Sequence, residues 1–73
     1  MQTHEGFLKK NEQGRYSFSD GYYFTSGDTI EIFTDDVWIK GRIEYSQKEE
    51  DYYFLNEDEG IYIYSLDGLK ARV

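Results

Sequence analysis

Large side chains recur at every second position of this chain in short runs, and nearly every run ends at or near glycine, aspartate or asparagine. No window places apolar residues at i, i+3, i+4 and i+7 for more than a turn, so the helical period is missing from end to end. Period two is the period of a strand with one buried face. The punctuation falls at Asn11-Glu12-Gln13-Gly14, Ser19-Asp20-Gly21, Thr25-Ser26-Gly27-Asp28, Thr34-Asp35-Asp36, Gln47–Glu50, Glu57-Asp58-Glu59-Gly60 and Leu66-Asp67-Gly68-Leu69. Between these breaks the reading places strands at Gly6–Lys10, Arg15–Phe18, Tyr22–Phe24, Thr29–Phe33, Val37–Ser46, Asp51–Asn56, Ile61–Ser65 and Lys70–Val73. A chain patterned this way folds as antiparallel sheet.

A 73-residue chain lies near the lower size limit for folding without staples, so its core side chains have to be bulky. Eight Tyr, five Phe and one Trp meet that need, each able to bury on the order of 150–250 Å². Ala, the best helix former, occurs only at Ala71. The expectation is a single all-β domain over 1–73, with residues 1–5 frayed. It is a partly open barrel of about seven short antiparallel strands, with at most a 3₁₀ turn near 66–69. The first 26 residues are expected to add an N-terminal hairpin that covers an edge or an open end. The longest strand, Val37–Ser46, sets Val37, Ile39, Gly41, Ile43 and Tyr45 on one face and Trp38, Lys40, Arg42, Glu44 and Ser46 on the other. Gly41 in its middle predicts a bend, a bulge or the close approach of another backbone.

Two resemblances sit on these residues. From Gly27 onward, Gly27-Asp28 with Ile30 and Ile32, a loop, Trp38 with Gly41 and Ile43, a second hairpin, a short turn and a last brief strand resemble the layout of Tudor, KOW and other SH3-like barrels. Nearly the whole chain also resembles an uncharacterised family of short, acidic bacterial proteins, catalogued as a domain of unknown function. The likeness runs through Gly6-Phe7-Leu8, Gly14-Arg15-Tyr16, Phe24–Ile32, Trp38–Tyr45, Tyr52-Tyr53-Phe54 and Leu66–Arg72. It implies a Gram-positive source, often a mobile element, and a cytoplasmic setting. It assigns no catalytic residue.

Composition narrows the chemistry. The absence of cysteine excludes disulfides, thiolate metal sites and a cysteine nucleophile, and suits a reducing cytoplasm. No apolar stretch approaches the roughly 20 residues that span a bilayer, and the N-terminus lacks a signal pattern. A net charge of −7 repels phosphate backbones and anionic membranes and favours a basic protein partner. His4 is the one histidine and lies in the expected frayed end, so Ser-His-Asp and Cys-His arrangements have no base. The acid runs Glu49-Glu50-Asp51 and Glu57-Asp58-Glu59 fall in expected loops, where carboxylates are solvated tips. Asn56–Gly60 offers oxygen ligands without the alternating spacing of a calcium loop. Gly27 and Gly41 are isolated glycines between strands and build no phosphate loop. No catalytic residue, cofactor or metal site is expected.

The aromatics carry the functional expectation. Alternation leaves Trp38 beside Lys40 and Arg42 on the polar face, and an exposed Trp next to Arg42 and several tyrosines is the composition of a recognition patch. Trp38, Tyr45, Tyr62, Tyr64 and Arg42 are therefore the candidate contacts of a non-enzymatic module that binds a protein or peptide. The competing expectation is that a bulge at Gly41 shifts the register and buries Trp38. A second functional expectation is an acidic decoy that occupies the basic groove of a nucleic-acid-binding protein, with carboxylates at phosphate-like intervals along one face.

Overall fold

The structure is a computed structural model that describes residues 4–73. The described residues form β1 (Glu5–Phe7), β2 (Lys9–Lys10), β3 (Tyr16–Ser17), β4 (Thr29–Thr34), β5 (Val37–Ser46), β6 (Asp51–Asn56), β7 (Ile61–Ile63) and β8 (Lys70–Arg72). No helix is present among them, and none is long and apolar enough to cross a membrane. The all-β expectation holds. Six strands form one antiparallel sheet in the order β1-β8-β4-β5-β6-β7, and β2 pairs with β3 apart from it. No ladder joins β7 to β1, so the sheet is open rather than closed into a barrel.

β5 is the axis of the sheet because it serves two partners in succession. Val37–Arg42 pairs with β4 and Arg42–Ser46 with β6, so Arg42 alone faces both Thr29 and Leu55. The strand bends over itself where the partners change. Gly41 permits this: a Cβ there would lie 2.7 Å from two ring carbons of Phe54 and closer still to the Leu55 carbonyl oxygen. Of the three readings of Gly41, the close approach is realised where the strand bends, and the bulge is not. The pairing with β4 runs unbroken from Val37 to Arg42, so Gly41 carries no bulge. The extra residue sits on the opposing strand instead. Gly27 donates to the Ile43 carbonyl (2.7 Å) and Ile43 donates to the Asp28 carbonyl (2.9 Å), so two residues oppose one. Gly27 takes φ +92°, as the first residue of such a bulge requires.

The N-terminal segment departs from expectation in three ways. Gly6–Lys10 is two strands divided at Leu8, because β1 pairs with β8 while β2 pairs with β3. Leu8 itself bonds to the turn before β8, donating to the Leu69 carbonyl (2.8 Å) and accepting from Gly68 (2.7 Å). Tyr22–Phe24 is not a strand but a single bridge between Ser17 and Tyr23, because Asp20 caps the turn by accepting from the Tyr22 amide at 2.9 Å. Fraying does not reach His4 or Glu5, while residues 1–3 lie outside the described ones. His4 exchanges two backbone bonds with Val73 (3.4 and 2.9 Å), and Glu5 pairs with Arg72 in β1. Far from being a solvated terminal side chain, His4 lies against the Tyr22 ring at 4.2 Å and donates its Nδ1–H to Asp20 Oδ2 at 2.6 Å.

The core fills the concave side of the sheet. Ile30 and Ile32 of β4, Ile43 of β5, Phe54 of β6 and Ala71 of β8 point inward and are buried. The lid over them comes from the N-terminal segment, whose Leu8, Tyr16, Phe18 and Phe24 are buried in the same cluster. Leu66 closes it from a single turn, with the Leu69 amide donating to the Leu66 carbonyl at 3.1 Å. Phe18 and Phe24 meet edge to face at 5.5 Å, as do Tyr22 and Phe24 at 5.3 Å.

Candidate functional site

The convex face of the sheet carries what the core does not use. Register orders it into rows across the strands. One row reads Phe7, Lys70, Phe33, Trp38, and the next reads Glu5, Arg72, Glu31, Lys40. Trp38 lies against Phe33 at 5.1 Å, and the Arg72 guanidinium stacks 3.9 Å above its ring. Glu31 anchors that guanidinium, accepting from Arg72 Nε at 3.0 Å. Trp38 thus keeps the outward face that alternation gives it, yet its own neighbours half-cover it. No register shift is involved.

A different group forms beyond the bend, on β6 and β7. Leu55 pairs with Tyr62, which sets Tyr53, Leu55, Tyr62 and Tyr64 on the convex side. Leu55 is buried beneath, and the tyrosines lie over it. Tyr53 stacks on Tyr64 at 5.2 Å and 20° and on Tyr62 at 6.4 Å and 22°. Tyr62 is 54% and Tyr64 52% exposed. The result is a platform of near-parallel rings from β6, from the edge strand β7 and from Tyr64 just past it. Tyr64 lies past it because β7 stops at Ile63 rather than at the expected Ser65, whose φ is 65°. Sequence reasoning named Tyr62 and Tyr64 but missed Tyr53, although alternation from the buried Phe54 places it on the same face.

The remaining candidates go elsewhere. Tyr45 belongs to the concave side of β5, where it meets Tyr52 edge to face at 5.0 Å. The Tyr52 hydroxyl accepts from Arg15 Nε at 3.4 Å, which raises the Arg15 pKa, and Arg15 in turn lies over Tyr23. Arg42 is held on both sides, by Glu57 (2.6 Å) and by Glu44 (2.7 Å), and these two bonds raise its pKa. Its role is to tie the β6–β7 turn to β5. Of the five expected contacts, Tyr62 and Tyr64 come together, Arg42 lies in the row of Tyr62, and Trp38 and Tyr45 are separate from them and from each other.

Acidic groups are distributed by the topology of β6. The Glu49-Glu50-Asp51 run enters the strand and the Glu57-Asp58-Glu59 run leaves it, about 20 Å apart for six residues of strand. Lys10 Nζ lies 3.0 Å from Asp51, an attraction that raises the lysine pKa. Tyr16 donates its hydroxyl to the same carboxylate at 3.2 Å, and burial is the main cause of its own raised pKa. No group of three or more potential metal ligands converges among the described residues. A polar hollow of about 280 Å³ opens at the fork of β4, β5 and β6, lined by Thr29, Lys40, Arg42, Asn56 and Glu57. It is a wide, shallow dish, and the Arg42 guanidinium in its wall is already occupied.

A family model described as a domain of unknown function (DUF5348) matches residues 6–73, nearly the whole chain. No curated protein and no solved structure matches it.

Proposed function

The chain belongs to the DUF5348 family, a domain of unknown function, and from its geometry we propose that it is a non-enzymatic interaction module that docks a protein or peptide. The observation that carries this reading is the tyrosine platform: two large, half-exposed rings, Tyr62 on the edge strand and Tyr64 just past its end, both stacked with Tyr53. Tyrosine supplies contact area with little side-chain entropy to lose, which is why it is enriched where proteins meet. Trp38 has a place in the architecture instead, since Phe33 and Arg72 already use its ring. In the same reading the open, bent sheet is a variant of the SH3-like layout. The cytoplasm, a Gram-positive host and a mobile element are its setting.

The test compares two variants in a pull-down from the native host. Tyr62→Ser combined with Tyr64→Ser should leave the thermal midpoint within the change of about 1 kcal/mol typical of surface positions and abolish capture. Trp38→Ala should cost about 2 kcal/mol, from lost ring burial and a lost cation–π contact, and retain capture at temperatures where it is folded. The reverse pattern would move the contact surface to Trp38.

The acidic decoy is the weaker reading. Charge favours it, but the two acid runs sit at opposite ends of β6 and Asp51 and Glu57 are neutralised by Lys10 and Arg42, which breaks any phosphate-like spacing. Competition between this protein and duplex DNA for a captured partner would support the decoy.

A further inference from the structure

We infer that the free edge of β7, with the tyrosine platform beside it, receives an extended lysine- or arginine-rich segment of a partner protein. This rests on the interaction reading and adds the chemistry and geometry of the partner. Three observations carry it.

The first is the edge itself. β7 is the last strand in the sheet order, so the backbone groups on its far side have no ladder partner. An extended segment can pair there as a further strand. Such a segment presents every second side chain to the convex face, about 6.8 Å apart. Tyr62 and Tyr64 are two residues apart in the chain, and both rings lie on that face against Tyr53.

The second is charge. Residues 44–64, which hold the end of β5 and all of β6 and β7, carry seven carboxylates and one lysine, so nearly all of the net charge of −7 belongs to this stretch. Arg42 answers Glu44 and Glu57, and Lys10 answers Asp51. Glu49, Glu50, Asp58 and Glu59 have no ion pair among the described residues, and they bracket the platform at the two ends of β6. A cationic strand on β7 meets carboxylates at both of its ends. A nucleic acid or an anionic bilayer is repelled there. A second copy of the chain would set the same negative surface against itself.

The third is the ring faces. Tyr62 and Tyr64 flank Tyr53 in a near-parallel stack, with their outer surfaces open. Aromatic faces attract guanidinium and ammonium groups. The molecule makes that contact internally, where Arg72 lies 3.9 Å over Trp38.

The probe is a short synthetic peptide in which lysine alternates with valine, titrated into the full chain and followed by amide NMR. Peptides with serine or glutamate replacing lysine serve as controls. The expected result is shifts centred on Ile61–Tyr64, slowed exchange of the outward β7 amides, and affinity that falls several-fold between about 50 and 300 mM salt. Tyr62→Ser with Tyr64→Ser, and separately Asp58→Asn with Glu59→Gln, should each weaken binding about tenfold while circular dichroism stays unchanged. Shifts spread over Asp20, Glu31 and Asp35, or equal binding of the serine peptide, would overturn the inference. So would a concentration-dependent dimer that closes β7 without peptide. If the tyrosine variant loses host capture while no lysine peptide binds, the interaction module stands and the cationic partner falls. If capture also persists, both fall.

Discussion

At the scale of single residues, Gly41 decides how far β5 can bend. Its missing side chain is the space in which the Phe54 ring and the Leu55 carbonyl sit. Gly41→Ala drives a methyl group against backbone, which cannot rotate away as a side-chain tip could. The expected cost is at the upper end of the 1–3 kcal/mol typical of overpacking, read as a lower urea midpoint with an unchanged slope. A neutral Gly41→Ala would mean that β5 does not fold over β6 in this way. The sequence made Gly41 conspicuous and offered three roles, and pattern alone could not say that the bulge was the one to drop. The choice depends on Phe54 and Leu55, more than ten positions away, and strand periodicity contains no information about which ring will lie across which backbone. Trp38 illustrates the same limit. Alternation placed it outward correctly, but its cover comes from Arg72 at the far end of the chain.

At the scale of elements, β5 and β6 have the boundaries that alternation assigned. The reason is that the outer turns, Thr34-Asp35-Asp36 and Glu57–Gly60, hold residues with strong turn preference, and Gln47–Glu50 breaks the alternation with four polar side chains. The Tyr22–Phe24 segment was unreadable for the opposite reason: three aromatics look like a strand, but the Asp20 turn and the packing of Tyr22 against His4 limit the pairing to one bridge beside β3. The β4–β5 hairpin has two central residues, Asp35 at φ 52° and Asp36 at φ 65°. Both are left-handed, as a two-residue turn matched to sheet twist demands. A non-glycine residue pays for that conformation, so Asp36→Gly should raise stability by about 0.5–1 kcal/mol, measured by denaturant unfolding. The Asp20 turn makes a pH prediction. The Tyr22 amide, and then His4, hold the Asp20 carboxyl below its ordinary value of 3.8. A carboxyl depressed in the folded state stabilises it above the unfolded value, and that contribution disappears as pH falls through the folded one. The stability gap between the protein and Asp20→Asn should therefore be full at pH 6 and close below about pH 4. A gap that widens on acidification would contradict the cap.

At the scale of the molecule, a body of 31 × 31 × 19 Å has one core, and among the described residues the N-terminal segment supplies four of the ten buried ones that line it. Leu8, Tyr16, Phe18 and Phe24 cover Ile30, Ile32, Ile43 and Phe54, so the six-stranded sheet has no apolar interior of its own once they leave. The expected consequence is that the chain unfolds as a single cooperative unit. Phe24 is the sharpest probe because it is buried, lies outside every strand and touches Phe18 and Tyr22 edge to face. Phe24→Ala removes a full ring at a cost of about 3–5 kcal/mol, against a total of about 4–11 kcal/mol for a chain of this length. Phe24→Leu keeps most of the volume and should lose less than half as much. Trp38 reports from the opposite face of the sheet. Its emission and the far-ultraviolet signal should lose structure at one midpoint, in the parent chain and in Phe24→Leu alike, and both should be largely lost at physiological temperature in Phe24→Ala. A Trp38 transition that survives Phe24→Ala at the parent midpoint would show that β4 to β8 fold alone, and the N-terminal segment would then be an appendage rather than a required part of the core.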